Sequence, residues 1–464
     1  MSGDLWAKSL AEVSELIRSK AVSPVDVLDG YLARIAALDG RIHSTNALRA
    51  DAARAEAKQA ETDISQGNWC GPLHGIPIGI KDLIDVAGLP TTAQAAHRRD
   101  AIASADAGVV RALRRAGAVI IGKHATAEYA VGMNEDGAFP AVRNPWNLDL
   151  DPAGSSSGSS AAVAAGFCAG AVGSDTAGSI RDPAAWCGVV GLKPTDGLVS
   201  RAGLLPLSRT MDCLGPIART AQDCALMLAG MISDDPVDLL LPGFAAPDLR
   251  QLQAGIKGLR IGIPRHCFEN DPNVDAEVLA ATAQAIQVLA SLGAQISTVS
   301  LDDFATYGRV ARQITWPEEY AEHGAELRDH PDRFTPVARS RLQDGKAVTA
   351  PDYINAMRQR TAMIAALDQV MQTVDVLFLP SMKTPAQPLG YEHGPMGEIE
   401  LSLSRPFNLT GSPALTICTG FTAQGLPIGG QFVGRWFEDG TVLQAGHALE
   451  KEVGQRTRHP PLTG

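Results

Sequence analysis

Residues 154–182 read GSSSGSSAAVAAGFCAGAVGSDTAGSIRD, and they set two clusters of small hydroxyl side chains around an apolar run. Glycine and serine at this density are typical of a solvated linker, which is the simplest alternative. The run between the clusters, residues 161–173, carries no charge and would not stay in water. Asp175 and Arg181 follow this run. Their opposite charges predict a buried polar network, which a solvated linker would not contain.

The composition of the 464-residue chain is that of a globular protein, with 45% hydrophobic and 20% charged residues. A formal net charge of −11, without a lysine or arginine stripe, argues against nucleic acid as a direct ligand. The longest apolar run, residues 161–172, is shorter than the ~20 residues that span a bilayer, and no secretory signal is evident. Seven cysteines without a C-x-x-C pair fit a reducing compartment. We therefore expect a cytoplasmic protein with no membrane partner.

Helical and strand periodicities alternate along the chain, which is typical of an α/β protein. The predicted elements are a helix that begins at Ser23-Pro24, a strand at 76–80, a helix at 108–116, a strand at 118–121, a strand at 259–264, a helix at 274–292, a strand at 294–299, a mainly helical stretch at 302–370, a strand at 374–379 and a hairpin of 414–421 with 426–433. No internal repeat or low-complexity linker divides the chain.

The heptapeptide Asp175–Arg181 contains a candidate nucleophile. Ser179 follows small residues in a predicted tight loop, where its hydroxyl can be exposed while backbone N–H groups converge on one point. Such an arrangement stabilises the oxyanion of acyl transfer. An ordinary turn serine is the alternative for this segment taken alone.

Two further patterns bear on the nucleophile and its base. Residues 154–158 match the G-x-S-x-G elbow, which would make Ser156 the nucleophile. The preceding residues 147–152, however, are too polar and too interrupted by proline to form the strand that an elbow requires.

A nucleophilic serine also needs a base, but none of the ten histidines lies in a context that indicates a triad. Lys81 is the other candidate base, because burial disfavours the ammonium form. An ion pair between Lys81 and Asp82 is the alternative.

Three separate motifs resemble those of the amidase signature family. They are G-x-P-x-x-x-K-D at residues 75–82, GSSSGSSA at 154–161, and GSDTAGSIR at 173–181, followed by PAA at 183–185 and GLKPT at 191–195. The segments RPFNLTGSPA at 405–414 and GLPIGGQ at 425–431 resemble the C-terminal part of the family. The resemblance therefore covers nearly the whole chain.

This resemblance implies an α/β fold with a single large mixed β-sheet flanked by helices on both faces. It implies one amidase domain over residues 1–464, with N-terminal helices at about 1–65. The catalytic core would lie at about 66–220, and a variable helical region at about 302–370.

The resemblance also implies a Ser-Ser-Lys triad, with Ser179 as the acyl nucleophile, Ser155 as a relay after a cis peptide bond, and Lys81 as the final base. It requires neither a metal nor an organic cofactor. The backbone N–H groups expected to hold the oxyanion belong to Thr176, Ala177, Gly178 and Ser179. Supporting roles fall to Asp175 and Arg181, which brace the loop, and to Ser156, which donates a hydrogen bond.

Four positions depart from the family pattern. Ala153, Ser157 and Ala177 stand where glycine is most frequent, and Asp182 stands where an apolar residue is common. Ala177 matters most, because alanine excludes backbone angles that are open to glycine. We expect the oxyanion loop to survive, with its shape altered.

Together these implications predict an amidohydrolase that cleaves the C–N bond of a small neutral amide with a hydrophobic or aryl group. Carbamates (urethanes) and esters are further expected substrates. Candidates for the substrate pocket are Met133, Trp186 and Trp316, with a place in the core as the alternative for each. A glutaminase-type subunit of a tRNA-dependent amidotransferase is the alternative function, and an inactive fold retained for binding is a third. For the assembly, a homodimer is one option.

Overall fold

The computed structural model describes residues 5–131, 134–232, 248–390, 402–454 and 457–462. Within these ranges eleven strands form one sheet. They are β1 (Thr45–Leu48), β2 (Pro77–Lys81), β3 (Val119–His124), β4 (Gly170–Asp175), β5 (Val190–Lys193), β6 (Cys213–Ala218), β7 (Arg260–Ile263), β8 (Gln295–Thr298), β9 (Val376–Pro380), β10 (Ala414–Phe421) and β11 (Pro427–Gly434).

The sheet is mixed, and its strand order is β1-β3-β2-β4-β6-β5-β10-β11-β9-β7-β8. Strand β2 runs parallel to β3 and β4, and β7 runs parallel to β8 and β9. The other neighbouring pairs are antiparallel. The predicted single mixed sheet is confirmed.

Thirteen α-helices accompany the sheet in the described ranges. They are α1 (Leu10–Arg18), α2 (Pro24–Ile42), α3 (Ala50–Ser65), α4 (Gly108–Arg115), α5 (Ser157–Ala165), α6 (Arg181–Cys187), α7 (Ala221–Met231), α8 (Ala276–Ser291), α9 (Phe304–Asp329), α10 (Pro336–Asp344), α11 (Ala350–Met371), α12 (Pro406–Leu409) and α13 (Asp439–Val453).

The predicted elements are all present, with their ends shifted by a few residues. Ser23 caps α2 by accepting a hydrogen bond from the Val25 N–H, with Pro24 in the first helical turn, as the sequence predicts. The mainly helical stretch resolves into α9, α10 and α11, and the unit β7-α8-β8 joins two parallel neighbouring strands. Local periodicity was therefore sufficient to find these elements.

Helix α5 explains the glycine and serine density of the opening segment. All nine of its residues are buried, and it packs against β2, β3, β4 and α6. A Cβ on Gly158 would lie 2.5 Å from the Ala125 backbone nitrogen and 2.5 Å from the Ser44 carbonyl oxygen. Small side chains thus allow a helix to lie inside the protein, and the linker alternative is wrong.

The main apolar core runs from α1 and α2 along the sheet to α13. Two smaller apolar clusters join α9, α10 and α11 to loops beside β2, β3 and β6. These clusters hold the helical region over one edge of the site described below. Among the helices described, none combines the length and apolar character needed to cross a membrane.

Gly158→Ala should lower the free energy of unfolding by about 1–3 kcal/mol, because backbone atoms surround the added methyl group and cannot rotate away. Urea denaturation followed by circular dichroism measures this change. Gly30→Ala in α2 is the matched control, since an added Cβ there has nothing within 4 Å. A mid-helix glycine replaced in this way should raise stability by about 0.5–1 kcal/mol. Equal stabilities for the two variants would contradict the role assigned to Gly158.

Candidate active site

A cavity of about 110 Å³ lies beside the N-terminal end of α5 and the loop after β4. Ser155 and Ser179 both line it. The apolar part of the lining includes Ala127, Ala130, Val131, Leu207, Met211 and Ala311. The charged part consists of Asp182, Arg312, Glu319, Arg341 and Arg405. The cavity is therefore apolar on one portion of its wall and highly charged on another.

Lys81 is the last residue of β2 and is fully buried. Its Nζ lies 2.7 Å from Ser155 Oγ and 2.9 Å from Ser174 Oγ. Burial lowers the pKa of the Lys81 ammonium to about 7, although the charges of Asp175 and Asp212 oppose the shift. A lysine with this pKa is partly neutral near pH 7 and can accept a proton.

The alternative ion pair between Lys81 and Asp82 is wrong. Asp82 instead pairs with Lys123 at 2.9 Å and accepts a hydrogen bond from Asn46 Nδ2 at 2.8 Å. Successive side chains along an extended strand point to opposite faces, so the two neighbours serve different surroundings. The Lys81 ammonium group therefore contacts the hydroxyl groups of Ser155 and Ser174 rather than Asp82.

The peptide bond between Gly154 and Ser155 is cis. The carbonyl oxygen of Ser155 accepts hydrogen bonds from Thr126 Oγ1 at 2.8 Å and from the Ala127 N–H at 3.2 Å. Its hydroxyl group lies against Lys81 Nζ on one side, while the residue borders the cavity. Ser155 thus stands between the buried lysine and the space where a substrate would bind.

Ser156 has a supporting position and no access to the cavity. It is fully buried, and its Oγ donates to the Ser174 carbonyl at 3.1 Å while accepting the Ser174 N–H at 3.3 Å. Its own N–H donates to the Ser179 carbonyl at 3.1 Å. The elbow interpretation, which would make Ser156 the nucleophile, is wrong because this hydroxyl is enclosed.

Asp175 and Arg181 form a fully buried ion pair around the loop that carries Ser179. The Asp175 carboxylate accepts N–H bonds from Gly178 at 2.7 Å and Ile180 at 3.1 Å, one on each side of Ser179. Although burial alone would raise it, the pKa of this carboxyl is held well below its usual range by Arg181 and by the Asn408 amide. The predicted buried polar network is present.

Arg181 extends this network to distant parts of the chain. Its guanidinium donates to the Ser404 carbonyl at 2.9 Å, to Gln431 Oε1 at 3.2 Å and to Asn408 Oδ1 at 2.5 Å. Helix α12, which contains Asn408, and strand β11, which contains Gln431, are thereby tied to the end of β4. The loop is fixed from several directions.

The loop after β4 differs from the expectation at Gly178. This residue has a φ of +118°, and a Cβ there would lie 2.2 Å from Asp182 Oδ2, so glycine is required. Its N–H is engaged by the Asp175 carboxylate, so nothing supports its predicted use as an oxyanion donor. The N–H groups of Thr176, Ala177 and Ser179, residues that line the cavity, remain the candidates.

Ala177 fits the loop without a glycine-like conformation. It is not among the described non-glycine residues with positive φ, so its methyl group introduces no left-handed strain. The residue is half-buried and lines the cavity. Beside it, Thr176 Oγ1 donates to Asp212 Oδ1 at 2.6 Å, which directs the Thr176 hydroxyl to that carboxyl. The departure at Ala177 therefore alters the cavity surface rather than the backbone.

The three predicted pocket residues have different outcomes. Trp316 lines the cavity. Trp186 is only 1% exposed, donates from Nε1 to the Thr384 carbonyl at 2.8 Å, and belongs to a small apolar cluster. It is a core residue and is not part of the described cavity lining, because its indole faces that cluster. Met133 lies outside the described residues.

Several site residues escaped the sequence analysis. Ser174, which contacts Lys81, immediately precedes Asp175 in a quoted motif, and Arg405 opens another. Their positions in those motifs were the available signal. The remaining ones, Arg312, Glu319 and Arg341, lie in the helical region, where periodicity does not reveal which surface a polar side chain will meet.

Known proteins are similar to this chain over most of its length. The family model described as Amidase matches residues 26–443. A Pseudomonas putida protein named amidase is 40% identical, covering 98% of each chain. A glutamyl-tRNA(Gln) amidotransferase subunit of Roseiflexus castenholzii is 37% identical, covering 99% of this chain and 98% of its own. The native peptide amidase of Stenotrophomonas maltophilia has a solved structure with a TM-score of 0.86 at 29% identity, covering 98% of both chains.

Asp175→Asn should lower the free energy of unfolding by about 3–5 kcal/mol, because it leaves the Arg181 guanidinium buried without its counter-charge. Urea denaturation of the purified variant measures the loss. The control is Glu15→Gln, which removes an exposed ion pair with Arg18 and should leave stability nearly unchanged. If Asp175→Asn were as stable as this control, the network would not hold the loop.

Proposed function

Because the chain belongs to the amidase signature family, whose members hydrolyse amide C–N bonds, we propose that it cleaves a small amide through an acyl-enzyme at Ser179. Ser155 and Lys81 act as the proton relay. The observation that carries this proposal is the buried 2.7 Å contact between Lys81 Nζ and Ser155 Oγ, beside a cavity lined by both serines.

Acylation begins with neutral Lys81. It accepts the hydroxyl proton of Ser155 as Ser155 accepts that of Ser179, and Ser179 Oγ bonds to the carbonyl carbon of the substrate. The resulting oxyanion is held by N–H groups of the loop after β4, for which Thr176, Ala177 and Ser179 are the candidates. The C–N bond then breaks, and the leaving nitrogen takes a proton returned through Ser155.

Deacylation uses the same relay with water as the nucleophile. Water loses a proton to the relay and bonds to the acyl carbon, and the bond between that carbon and Ser179 Oγ breaks. The carboxylic acid leaves, and Ser179 regains its proton. No further reactant is needed to balance the reaction.

The range of substrates follows from this chemistry and from the cavity. Esters and carbamates present the same carbonyl to Ser179, and they belong to the proposal as additional substrates. The apolar wall formed by Leu207, Met211 and Trp316 supports a hydrophobic or aryl portion. A small neutral amide with such a portion, as the sequence predicts, is therefore the proposed substrate.

A glutaminase-type subunit is the second candidate function. The identity of 37% with a tRNA-dependent amidotransferase component over almost the full chain favours it. A free hydrolase should purify alone and turn over small amides other than glutamine. An obligate component of such an assembly should co-purify with partner chains and hydrolyse little besides glutamine, so purification and a substrate panel separate the two.

Ser179→Ala should reduce kcat/KM for any amide or ester substrate by about a thousandfold or more, because the acyl-enzyme cannot form. A fluorophosphonate probe should add its mass to wild type but not to this variant. Ser157→Ala is the matched control, since that buried hydroxyl has no hydrogen-bond partner among the described residues. Labelling of Ser179→Ala at wild-type level would contradict the proposed nucleophile and favour another one.

The pH dependence of kcat/KM should report on Lys81. Only its neutral form accepts a proton, and its pKa is lowered to about 7, so kcat/KM should rise with pH and level off above about 7. Below that pH it should fall by about tenfold per unit as the lysine is protonated. A Lys81→Met variant should lose both the rise and most of the activity. A rise centred near the ordinary lysine pKa of about 10.4 would contradict this assignment.

A further inference from the structure

We propose that the substrate carries a second carboxamide, which the carboxyl group of Glu319 and the hydroxyl group of Thr315 bind while Ser179 attacks the first. The proposal rests on the function proposed above and specifies its substrate class. The class is a small neutral amide with a second amide on its acyl part, and the diamide of a short dicarboxylic acid is its simplest member.

Glu319 and Thr315 lie on one face of α9. Ala311, Thr315 and Glu319 follow one another at four-residue intervals, which places them on the same face of a helix, and all three line the cavity that Ser179 borders. Thr315 is 7% exposed and Glu319 is 6% exposed. Helix α9 therefore presents a nearly buried hydroxyl and a nearly buried carboxyl, one helical turn apart, to the space where a substrate would bind.

These two side chains do not hold the fold together. Neither Glu319 nor Thr315 makes a side-chain hydrogen bond with another described residue. The adjacent Glu318 is the contrast, because its carboxylate accepts hydrogen bonds from the Thr210 N–H at 3.0 Å and from the Tyr353 hydroxyl at 2.8 Å. A buried polar group without a partner costs folding free energy, so its presence beside a reactive serine favours a partner that arrives with the substrate.

The second acid of the described cavity lining, Asp182, is engaged within the protein. Its Oδ1 accepts a hydrogen bond from Ser404 Oγ at 2.8 Å. Its Oδ2 lies close to Gly178, where an added Cβ would approach it to 2.2 Å. Asp182 thus packs against the loop that carries Ser179, and of these two acids Glu319 is the one available to a substrate.

A carboxamide supplies the partners for both groups. Its N–H groups donate to the Glu319 carboxyl, and its carbonyl oxygen accepts from the Thr315 hydroxyl. A hydrocarbon group of the same shape would leave both nearly buried groups unpaired, which costs binding free energy. The pair therefore selects an amide over an alkyl group of equal size.

The protonation of Glu319 agrees with a neutral partner. Burial raises the pKa of its carboxyl to about 8, and the negative charges of Asp212 and Glu318 act in the same direction. Arg341 and Arg405 oppose this shift. Near pH 7 the carboxyl is therefore mainly neutral, and a neutral N–H donor suits it better than an ammonium group does.

The short hydrocarbon between the two amides matches the apolar wall of the same cavity. Trp316 follows Thr315 on α9 and lines the cavity together with Leu207 and Met211. A diamide can therefore place its polar groups at both ends and its methylene groups against apolar side chains. Hydrolysis of the first amide breaks one C–N bond, consumes one water and yields ammonia and the monoamide of the acid.

The test compares isosteric amides that differ only at the second group. One series is malonamide, acetoacetamide and isovaleramide, and the other is succinamide, levulinamide and isocaproamide. In each series the second group is a carboxamide, then a methyl ketone that keeps the carbonyl but loses the N–H groups, then an isopropyl group that has neither. In at least one series, kcat/KM of wild type near pH 7 should be about 5- to 30-fold higher for the diamide than for the isopropyl member, beyond the statistical advantage of two equivalent amides. Absence of this preference from every hydrolysed series would overturn the proposal.

Variants assign the preference to the two side chains. Glu319→Met should lower the ratio of diamide to isopropyl kcat/KM towards the statistical value, chiefly through a higher KM for the diamide. Thr315→Val, which removes only the hydroxyl donor, should lower the ratio of the methyl ketone to the isopropyl member. Glu322→Met is the matched control, because Glu322 lies on α9 outside the cavity lining and pairs with the exposed Arg209. A wild-type ratio in either cavity variant would overturn the proposed pairing.

Stability measured without substrate separates binding from a structural role. Glu319→Met removes a carboxyl that has no hydrogen-bond partner among the described residues, so its midpoint in urea should equal or exceed that of wild type. Glu318→Met removes hydrogen bonds to Thr210 and Tyr353, so its midpoint should fall. A fall as large in Glu319→Met as in Glu318→Met would show that the carboxyl serves the fold and would overturn the proposal.

A neutral alkyl fluorophosphonate separates this proposal from the proposed function. Labelling of wild-type Ser179, read by intact mass, tests the nucleophile without using Glu319 or Thr315. If labelling occurs but no series is hydrolysed, protection decides: slower labelling with succinamide than with isocaproamide supports the carboxamide site, and equal protection overturns it. If wild type is neither labelled nor active on any amide, the proposed function fails, and the carboxamide site fails with it.

Discussion

The buried ion pair between Asp175 and Arg181 is the interaction on which the site depends. Two oxygens of one carboxylate hold N–H groups on both sides of Ser179, and one guanidinium ties that carboxylate to α12 and β11. Burying two charges is costly unless their remaining hydrogen-bonding capacity is satisfied. Here backbone groups and amide side chains satisfy it, so the loop is held on both sides of Ser179 and is linked to α12 and β11.

Burial gives the ionisable groups of the site their chemistry. The interior that surrounds Lys81 removes the solvation of its ammonium form and makes a usable base, while an adjacent pair, Asp82 with Lys123, stays in its own polar surroundings. The same effect raises the pKa of Glu319, an acid that lines the cavity, to about 8. One physical cause, burial, thus shifts the pKa of the candidate base and that of a cavity acid.

Much of the fold was predictable because its signals are local. The cap at Ser23, the strand that ends in Lys81 and the apolar run of α5 each depend on residues close in sequence. The two tryptophans behaved differently: both are large and apolar, yet Trp316 lines the cavity and Trp186 packs in the core. Nothing in their flanking sequence separates these outcomes, since side-chain surroundings come from elements far along the chain.

The sequence by itself determined the order of helices and strands, the family, and the three residues proposed for the relay, because periodicity and motif spacing are properties of neighbouring residues. Only the tertiary structure decided that Gly178 N–H is engaged by Asp175 and that arginines from α9, α10 and the start of α12 share a cavity with Ser179. The physical reason is that a polar side chain in a helix meets whatever its helix packs against. That partner is chosen by burial of apolar faces across the whole chain.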